Sequence, residues 1–147
     1  MRVYFDASVI IAAFLSPKGG SALLFKYIKA GKISGITSQT AIEEILDKTE
    51  KLKKPKEEIE HFIAASGLVV RKSINMEEIL PYQDLVDLED THLIAGAHLT
   101  KCTHLVTLDQ KHLLRSDIQE KFLPLRILSP KELLEEIILR PSTDGLV

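Results

Sequence analysis

The chain has 147 residues, which is the size of one domain with a single hydrophobic core. Its formal net charge of −2 excludes a generally basic nucleic-acid coat but is compatible with a local basic patch. A single cysteine, Cys102, excludes an internal disulfide and a cysteine-based zinc site. The first strand begins directly after Met1, and no apolar run reaches the roughly 18 residues of a membrane helix. We therefore expect a cytoplasmic protein with no membrane contact.

Strand patterns and helix patterns alternate along the chain. In chain order, the predicted elements are a strand at 3–5, helices at 7–15 and 22–30 (the second capped by Ser21), a strand at 33–37, a helix capped by Ser38, a helix near Pro55, a strand at 68–70, helices at 76–80 and 91–99, strands at 104–107 and 126–128, and a helix at 131–139.

This alternation predicts an α/β fold, in which helices cover both faces of a mostly parallel sheet. We expect one domain at residues 1–140, an α/β/α sandwich with a central sheet of about five strands. Residues 141–147 are expected to form a C-terminal tail.

Four carboxylates occupy equivalent places in this pattern. Asp6 ends the first strand and Asp109 follows the fourth, whereas Asp90 opens a helix and Glu44 lies in the first turns of another. Strand carboxyl ends and the following helix N-termini share one edge of a parallel sheet, so these four groups are expected to converge. Two alternatives remain open at this point: Asp6 could simply cap its helix, and the adjacent Glu43 could replace Glu44.

Converging carboxylates repel one another unless a cation neutralises them. Because oxygen ligands favour hard divalent ions, the sequence predicts one or two Mg²⁺ or Mn²⁺ ions. Such ions assist phosphodiester hydrolysis by polarising a phosphoryl oxygen and activating water. Four of the five histidines, His92, His98, His104 and His112, lack the spacing of a zinc site and are expected to be hydrogen-bonded or exposed.

Several motifs resemble those of a known family, the PIN-domain ribonucleases. They are Val3-Tyr4-Phe5-Asp6-Ala7-Ser8, Ser38 with Glu44 and Ile45-Leu46, Asp87-Leu88-Glu89-Asp90-Thr91-His92-Leu93-Ile94-Ala95-Gly96-Ala97, Leu105-Val106-Thr107-Leu108-Asp109 with Leu113-Leu114, and Arg126-Ile127-Leu128-Ser129-Pro130-Lys131-Glu132-Leu133-Leu134. They come in the family's order and cover nearly the whole chain.

The resemblance implies a Mg²⁺- or Mn²⁺-dependent endoribonuclease whose catalytic, metal-binding acids are Asp6, Glu44, Asp90 and Asp109. It also implies that the hydroxyls of Ser8 and Thr107 orient these carboxylates. Many members of the family are toxins that a small antitoxin protein inhibits, and members commonly form homodimers. The implied partners are therefore RNA, an antitoxin and a second copy of the chain.

The sequence departs from the family pattern at a few positions. The third motif contains both Asp87 and Asp90; we prefer Asp90 as the ligand and assign Asp87 to an outer position. Leu108 stands where members often have a glycine or another small residue. Residues 110–112 are Gln-Lys-His where some members have a further acid, so a second ion would depend on the substrate phosphate.

Basic residues near these motifs are candidates for contact with an RNA backbone. They are Lys18, Lys51, Lys53, Lys54, Lys111 and His112. The alternative for the lysines near residues 48–56 is a charged helix end that only contacts solvent.

Two other functions fit part of the pattern. A PIN-like module without activity would bind RNA or a protein, but it would not need all four acids. A phosphoacceptor receiver domain would need two adjacent acids after the first strand and a lysine after the last, and this chain has neither.

Overall fold

The computed structural model describes residues 1–139. Its strands are β1 (Arg2–Phe5), β2 (Ser34–Ser38), β3 (Val69–Arg71), β4 (His104–Val106) and β5 (Arg126–Leu128). Its α-helices are α1 (Ala7–Leu15), α2 (Gly20–Lys29), α3 (Gln39–Lys51), α4 (Lys56–Ala65), α5 (Met76–Ile79), α6 (Thr91–Leu99), α7 (Ser116–Lys121) and α8 (Pro130–Leu139). Short 3₁₀ helices cover Leu80–Tyr82 and Leu88–Asp90. The predicted tail at 141–147 lies outside the described residues, and the domain bounds stay a prediction.

The five strands form one parallel sheet in the order β3-β2-β1-β4-β5. This arrangement confirms the predicted α/β fold with a central sheet. Strand β1 is the central strand, and its residues pair with β2 on one side and β4 on the other. A residue that directly follows β1 therefore lies at the middle of the sheet's carboxyl edge.

Successive side chains of β1 point to opposite faces of the sheet, so they pack into two different hydrophobic layers. Val3 and Phe5 pack into the layer beneath α1–α4 and α8. Tyr4 faces the opposite layer, beneath α6 and α7. Both layers are fully buried at these positions, and burying side chains of this size stabilises the fold by roughly 1.5–3 kcal/mol each.

Helix α6 approaches the sheet closely because small residues face it. A Cβ atom added at Gly96 would lie 2.5 Å from the ring of Tyr4, so this position has no room for a side chain. The close contact between α6 and β1 brings the N-terminus of α6 to the same sheet edge as the end of β1.

One local prediction was wrong, and one helix was not predicted. Helix α2 begins at Gly20 after the N-cap residue Gly19, and Ser21 is a buried residue inside the helix and not its cap. Helix α7 was not predicted because it is short and polar, with Ile118 as its one buried side chain. The Ser38 cap is confirmed, since its hydroxyl accepts a hydrogen bond from the Ala41 backbone N–H.

Within the described residues, no single helix has both the length and the apolar character needed to cross a membrane. Helices α1 and α2 reach that length and composition only as a pair, and they are bent by 98° relative to each other.

Candidate functional site

The Asp6 carboxylate lies at the carboxyl end of β1 and is 8% exposed. The backbone N–H of Asp6 still pairs with Val106 at 3.1 Å, which extends the β1–β4 ladder by one residue. Its Oδ2 atom accepts hydrogen bonds from the Thr107 hydroxyl at 2.7 Å and the Ser8 hydroxyl at 3.1 Å. Asp6 does not cap α1 through its side chain. The carboxylate is therefore held by hydroxyl groups on both flanking segments.

Thr107 links Asp6 to Asp109. Its hydroxyl donates to Asp6 and accepts a hydrogen bond from the Asp109 backbone N–H at 3.1 Å. Ser8 makes a parallel connection, since its hydroxyl accepts from the Leu108 backbone N–H at 3.3 Å. The segment after β4 is thus attached to the end of β1 by two side-chain hydroxyls. Their assignment as orienting groups stays a prediction, but their contacts are those that such a role requires.

Asp90 lies at the start of α6, where its side chain caps no backbone N–H. Asp87 lies one turn earlier, and its carbonyl accepts a hydrogen bond from the Asp90 N–H at 2.9 Å. His112 contacts both neighbouring acids: its Nε2 is 3.1 Å from Asp87 Oδ2, and its Nδ1 is 3.4 Å from Asp109 Oδ2. Asp87, Asp90 and His112 each offer one ligand atom within 4.8 Å of the others.

Glu44 lies in the second turn of α3. Its Oε1 is 2.9 Å from Nε2 of His92, the second residue of α6. The His92 side chain is 9% exposed, whereas that of Glu44 is 37% exposed. The neighbouring Glu43 is exposed and lines a different surface of α3. The geometry therefore favours Glu44 over Glu43 as the residue that faces the other acids.

The side chains of Asp6, Glu44, Asp90 and Asp109 line one open cleft of about 680 Å³, which we call the acidic cleft. Its acidic residues are Asp6, Glu44, Asp47, Glu89, Asp90 and Asp109. Lys48, Lys51 and His92 are its basic residues within residues 1–139. All four acids predicted from the sequence are thus brought together, and carboxylates outnumber lysines among the lining residues.

The pKa values reflect this crowding. Burial raises the pKa of Asp6, and the hydrogen bonds from Thr107 and Ser8 offset only part of the effect. Burial and the charges of Asp109 and Asp6 raise the pKa of Asp90 to about 6. Burial also favours neutral Glu44, but the hydrogen bond and charge of His92 outweigh it and lower the pKa of Glu44. Asp6 and Asp90 therefore resist ionisation, because burial and, to a smaller extent, the neighbouring carboxylates disfavour the charged form.

This donor set fits a hard divalent cation. The predicted ligands are all carboxylates, which is the chemistry that Mg²⁺ and Mn²⁺ prefer. Burial and the charges of Asp109 and Asp6 together raise the pKa of Asp90, and a bound cation would relieve the repulsion between these carboxylates. Asp6, Glu44, Asp90 and Asp109 are the residues that would hold it.

The predicted RNA-contacting residues are only partly brought to this cleft. Lys51 lines it, and His112 lies beside it in a neighbouring pocket with Asp87. Lys54 lines a different pocket, next to Glu43. The described lining of the acidic cleft does not include Lys18, Lys53 or Lys111. The assignments of these residues to RNA contact stay predictions, with Lys51 and His112 the best placed.

A larger cavity of about 810 Å³ lies by the opposite, amino edge of β4 and β5. Glu136 in its lining already has partners: its carboxylate lies 2.7 Å from Nε2 of His104 and 2.9 Å from Nη2 of Arg126. Charged groups that already bind one another have little tendency to bind a ligand. The acidic cleft is therefore the better candidate site, although its volume is smaller.

Residues 2–111 match the PIN domain family. The chain belongs to this family. The match includes β1 to β4 and all of the acids that line the acidic cleft. It confirms the family that the sequence motifs resemble. No curated protein matches the chain.

Solved structures support the PIN fold beyond the matched residues. PAE2754 from Pyrobaculum aerophilum is 15% identical with a TM-score of 0.63, and the alignment covers 95% of this chain and 97% of that one. VapBC2 from Rickettsia felis, bound to a DNA fragment from their promoter, is 17% identical with a TM-score of 0.59. That alignment covers 88% of this chain and 98% of the other. At these identities the likeness shows the fold.

For this PIN domain, the sequence analysis did not single out Lys48 or the partner of His92. Lys48 lies four residues after Glu44 and Lys51 seven residues after it, so helical spacing alone places both on the cleft side of α3. His92 was expected to be hydrogen-bonded, but its partner is 48 residues away in sequence. No local pattern indicates a contact of that kind.

Proposed function

We propose that this PIN domain is a Mg²⁺- or Mn²⁺-dependent endoribonuclease that hydrolyses RNA phosphodiester bonds in the acidic cleft. The observation that carries the proposal is the convergence of Asp6, Glu44, Asp90 and Asp109 on one open cleft, from four separate elements. The raised pKa of Asp90 supports it, because crowded carboxylates indicate a cation site.

Each of these residues would have a distinct role. Asp6, Glu44, Asp90 and Asp109 would hold one or two ions. Thr107 and Ser8 would keep Asp6 in a fixed orientation, since both hydroxyls already donate to its Oδ2 atom. A bound ion would polarise a phosphoryl oxygen and lower the pKa of its water.

Lys48 and Lys51 make one end of the cleft basic, next to the acidic groups, and this charge distribution suits a nucleic-acid strand. Both follow Glu44 along one face of α3, so they extend a basic path from the acids toward the end of that helix. Phosphates next to the cleaved bond would contact this path, and the open cleft would admit a single strand.

We further propose that the protein is the toxin of a toxin–antitoxin pair, acts in the cytoplasm and forms a homodimer. The similarity of its fold to a VapBC2 complex supports the first of these.

The alternative function is a PIN module that binds RNA or a protein without cutting. The presence of all four acids in one cleft favours the enzyme over this alternative.

The test is cleavage of a mixed RNA pool with Mg²⁺, with Mn²⁺ and with EDTA. Wild type should cut with either ion and not with EDTA. Asp6→Asn should lower the cleavage rate at least about 100-fold, which corresponds to roughly 3 kcal/mol of transition-state stabilisation. Glu43→Gln is the matched control, because Glu43 is an exposed acid beside Glu44 that does not line the acidic cleft.

The two functions predict different results. Cleavage that depends on metal and is lost in Asp6→Asn but kept in Glu43→Gln supports the nuclease. RNA binding by wild type without cleavage under any of the ions would support the binding module instead.

A further inference from the structure

His92 joins the two helices that carry Glu44 and Asp90. It is the second residue of α6, and its Nε2 lies 2.9 Å from Oε1 of Glu44 on α3. The contact spans 48 residues of sequence, so it forms only when the domain is folded. We propose that His92 is a positioning residue that fixes the Glu44 carboxylate for divalent-ion binding. This inference rests on the proposed metal-dependent function.

Glu44 needs such a partner more than Asp6 does. Asp6 is short, almost fully buried and held by two hydroxyls. The Glu44 side chain is 37% exposed and has one more rotatable bond than aspartate. Without a partner, its carboxylate would sample several rotamers and lose entropy when it binds an ion. The contact with His92 uses Oε1 and leaves Oε2 as a ligand atom.

The environment of His92 indicates a role beyond packing. Its Nδ1 atom is buried and has no hydrogen-bond partner within the described residues. A buried polar atom without a partner destabilises a fold, so an apolar residue would serve better at a position that only packs. With a proton on Nε2, the ring donates a hydrogen bond to the Glu44 carboxylate. The imidazole thus has one paired nitrogen, and that nitrogen holds Glu44.

Three variants separate this role from simple packing. His92→Gln places an amide nitrogen near the former Nε2 and can still donate to Glu44. His92→Asn places its amide near the former Nδ1 and is too short to reach Glu44. His92→Leu fills the space with an apolar side chain. Thermal unfolding in EDTA verifies that each variant is folded.

The measurement is the Mn²⁺ dissociation constant by calorimetry, without RNA. His92→Asn and His92→Leu should weaken Mn²⁺ binding by about 10-fold or more, the usual effect of removing a group that orients a ligand. His92→Gln should stay near the wild-type value. In a Glu44→Gln background, His92→Asn should cause no further loss, because the carboxylate that it positions is gone.

Each other outcome overturns the inference. If wild type binds Mn²⁺ and His92→Asn binds it equally well, His92 does not position Glu44, and the nuclease proposal stands. The same holds if the loss persists in the Glu44→Gln background. If wild type binds no Mn²⁺, the inference and the proposed metal dependence both fail.

Discussion

At the scale of single residues, the acidic cleft depends on hydroxyl groups that were expected from the motif positions. Ser8 lies two residues after Asp6 and Thr107 two residues before Asp109, and both side chains contact Asp6. The Ser8 contact is local in sequence. Thr107 is 101 residues from Asp6, but it directly follows β4, which pairs with β1, so the two strand ends place it beside Asp6. The contact of His92 with Glu44 has no such local basis, because it depends on how α3 and α6 are placed on the sheet.

The raised pKa of Asp90 leads to a prediction about the thermal stability of the metal-free protein. Its folded pKa of about 6 lies above its ordinary value of 3.8, so ionised Asp90 destabilises the fold. The destabilisation begins as pH rises past the unfolded value and is complete above the folded one. Asp90→Asn should therefore raise Tm in EDTA at pH 7.5, and the gain should be smaller at pH 4.5. No capping bond is lost, since the Asp90 side chain makes none.

Thermal unfolding followed by circular dichroism measures this effect. A gain of a few degrees is expected, because about 1 kcal/mol corresponds to roughly 2–4 °C in a domain of this size. Asp84→Asn is the control, as Asp84 is an exposed acid of the same segment. An Asp90→Asn protein that is less stable than wild type at pH 7.5 would contradict the prediction.

At the scale of elements, α3 carries both kinds of charge that the proposed function needs. Ser38 caps the helix, so its first turns begin at the sheet edge and bring Glu44 to the acidic cleft. The same face then continues through Lys48 to Lys51 near the helix end. Cationic side chains in the last turn also interact favourably with the helix dipole. One helix therefore provides a metal ligand and a basic path in a fixed geometry.

The basic path predicts a salt-dependent contact with RNA. Replacing Lys48 and Lys51 with glutamine should weaken single-stranded RNA binding and lower the salt slope of log K by about 1.4, since each phosphate contact contributes about 0.7. Fluorescence anisotropy at several KCl concentrations measures the slope, in an Asp6→Asn background that leaves the RNA intact. Lys26 and Lys29 on α2 are exposed and lie outside the described cleft lining, so their glutamine double variant is the control. Equal slopes for both double variants would exclude the proposed path.

At the scale of the whole molecule, the acidic cleft joins distant parts of the chain. Asp6 and Asp109 follow β1 and β4, whereas Glu44 and Asp90 belong to α3 and the start of α6. An ion that binds all four acids would bind the folded chain and not the unfolded one. Metal binding should therefore stabilise the whole domain and not just one loop.

This coupling predicts a shift in thermal stability. At Mn²⁺ concentrations of about 100 times the dissociation constant, the free energy of unfolding should rise by about 2.7 kcal/mol. For a domain of this size, that corresponds to roughly 5–10 °C in Tm. Asp6→Asn should lose most of the shift, and Glu43→Gln should keep it. An equal Mn²⁺ effect on wild type and Asp6→Asn would place the ion elsewhere on the molecule.

The local patterns of the sequence were sufficient for the fold and for the edge at which the acids meet. Alternating strands and helices predicted the parallel sheet, and Asp6, Asp90 and Asp109 lie at element ends that a parallel sheet must gather on one side. The short polar helix α7 was missed, because Ile118 alone provides no apolar period. The site roles of the residues themselves stay predictions for the experiments above.

Only the tertiary structure decided which groups touch one another across the sheet edge. It placed Glu44 and Lys51 in the cleft, left Glu43 and Lys54 outside it, and paired His92 with Glu44. The physical reason is that hydrophobic periodicity sets which face of each element is buried, whereas side-chain contacts between elements depend on their relative placement. That placement follows from packing between residues far apart in sequence, such as Gly96 against Tyr4.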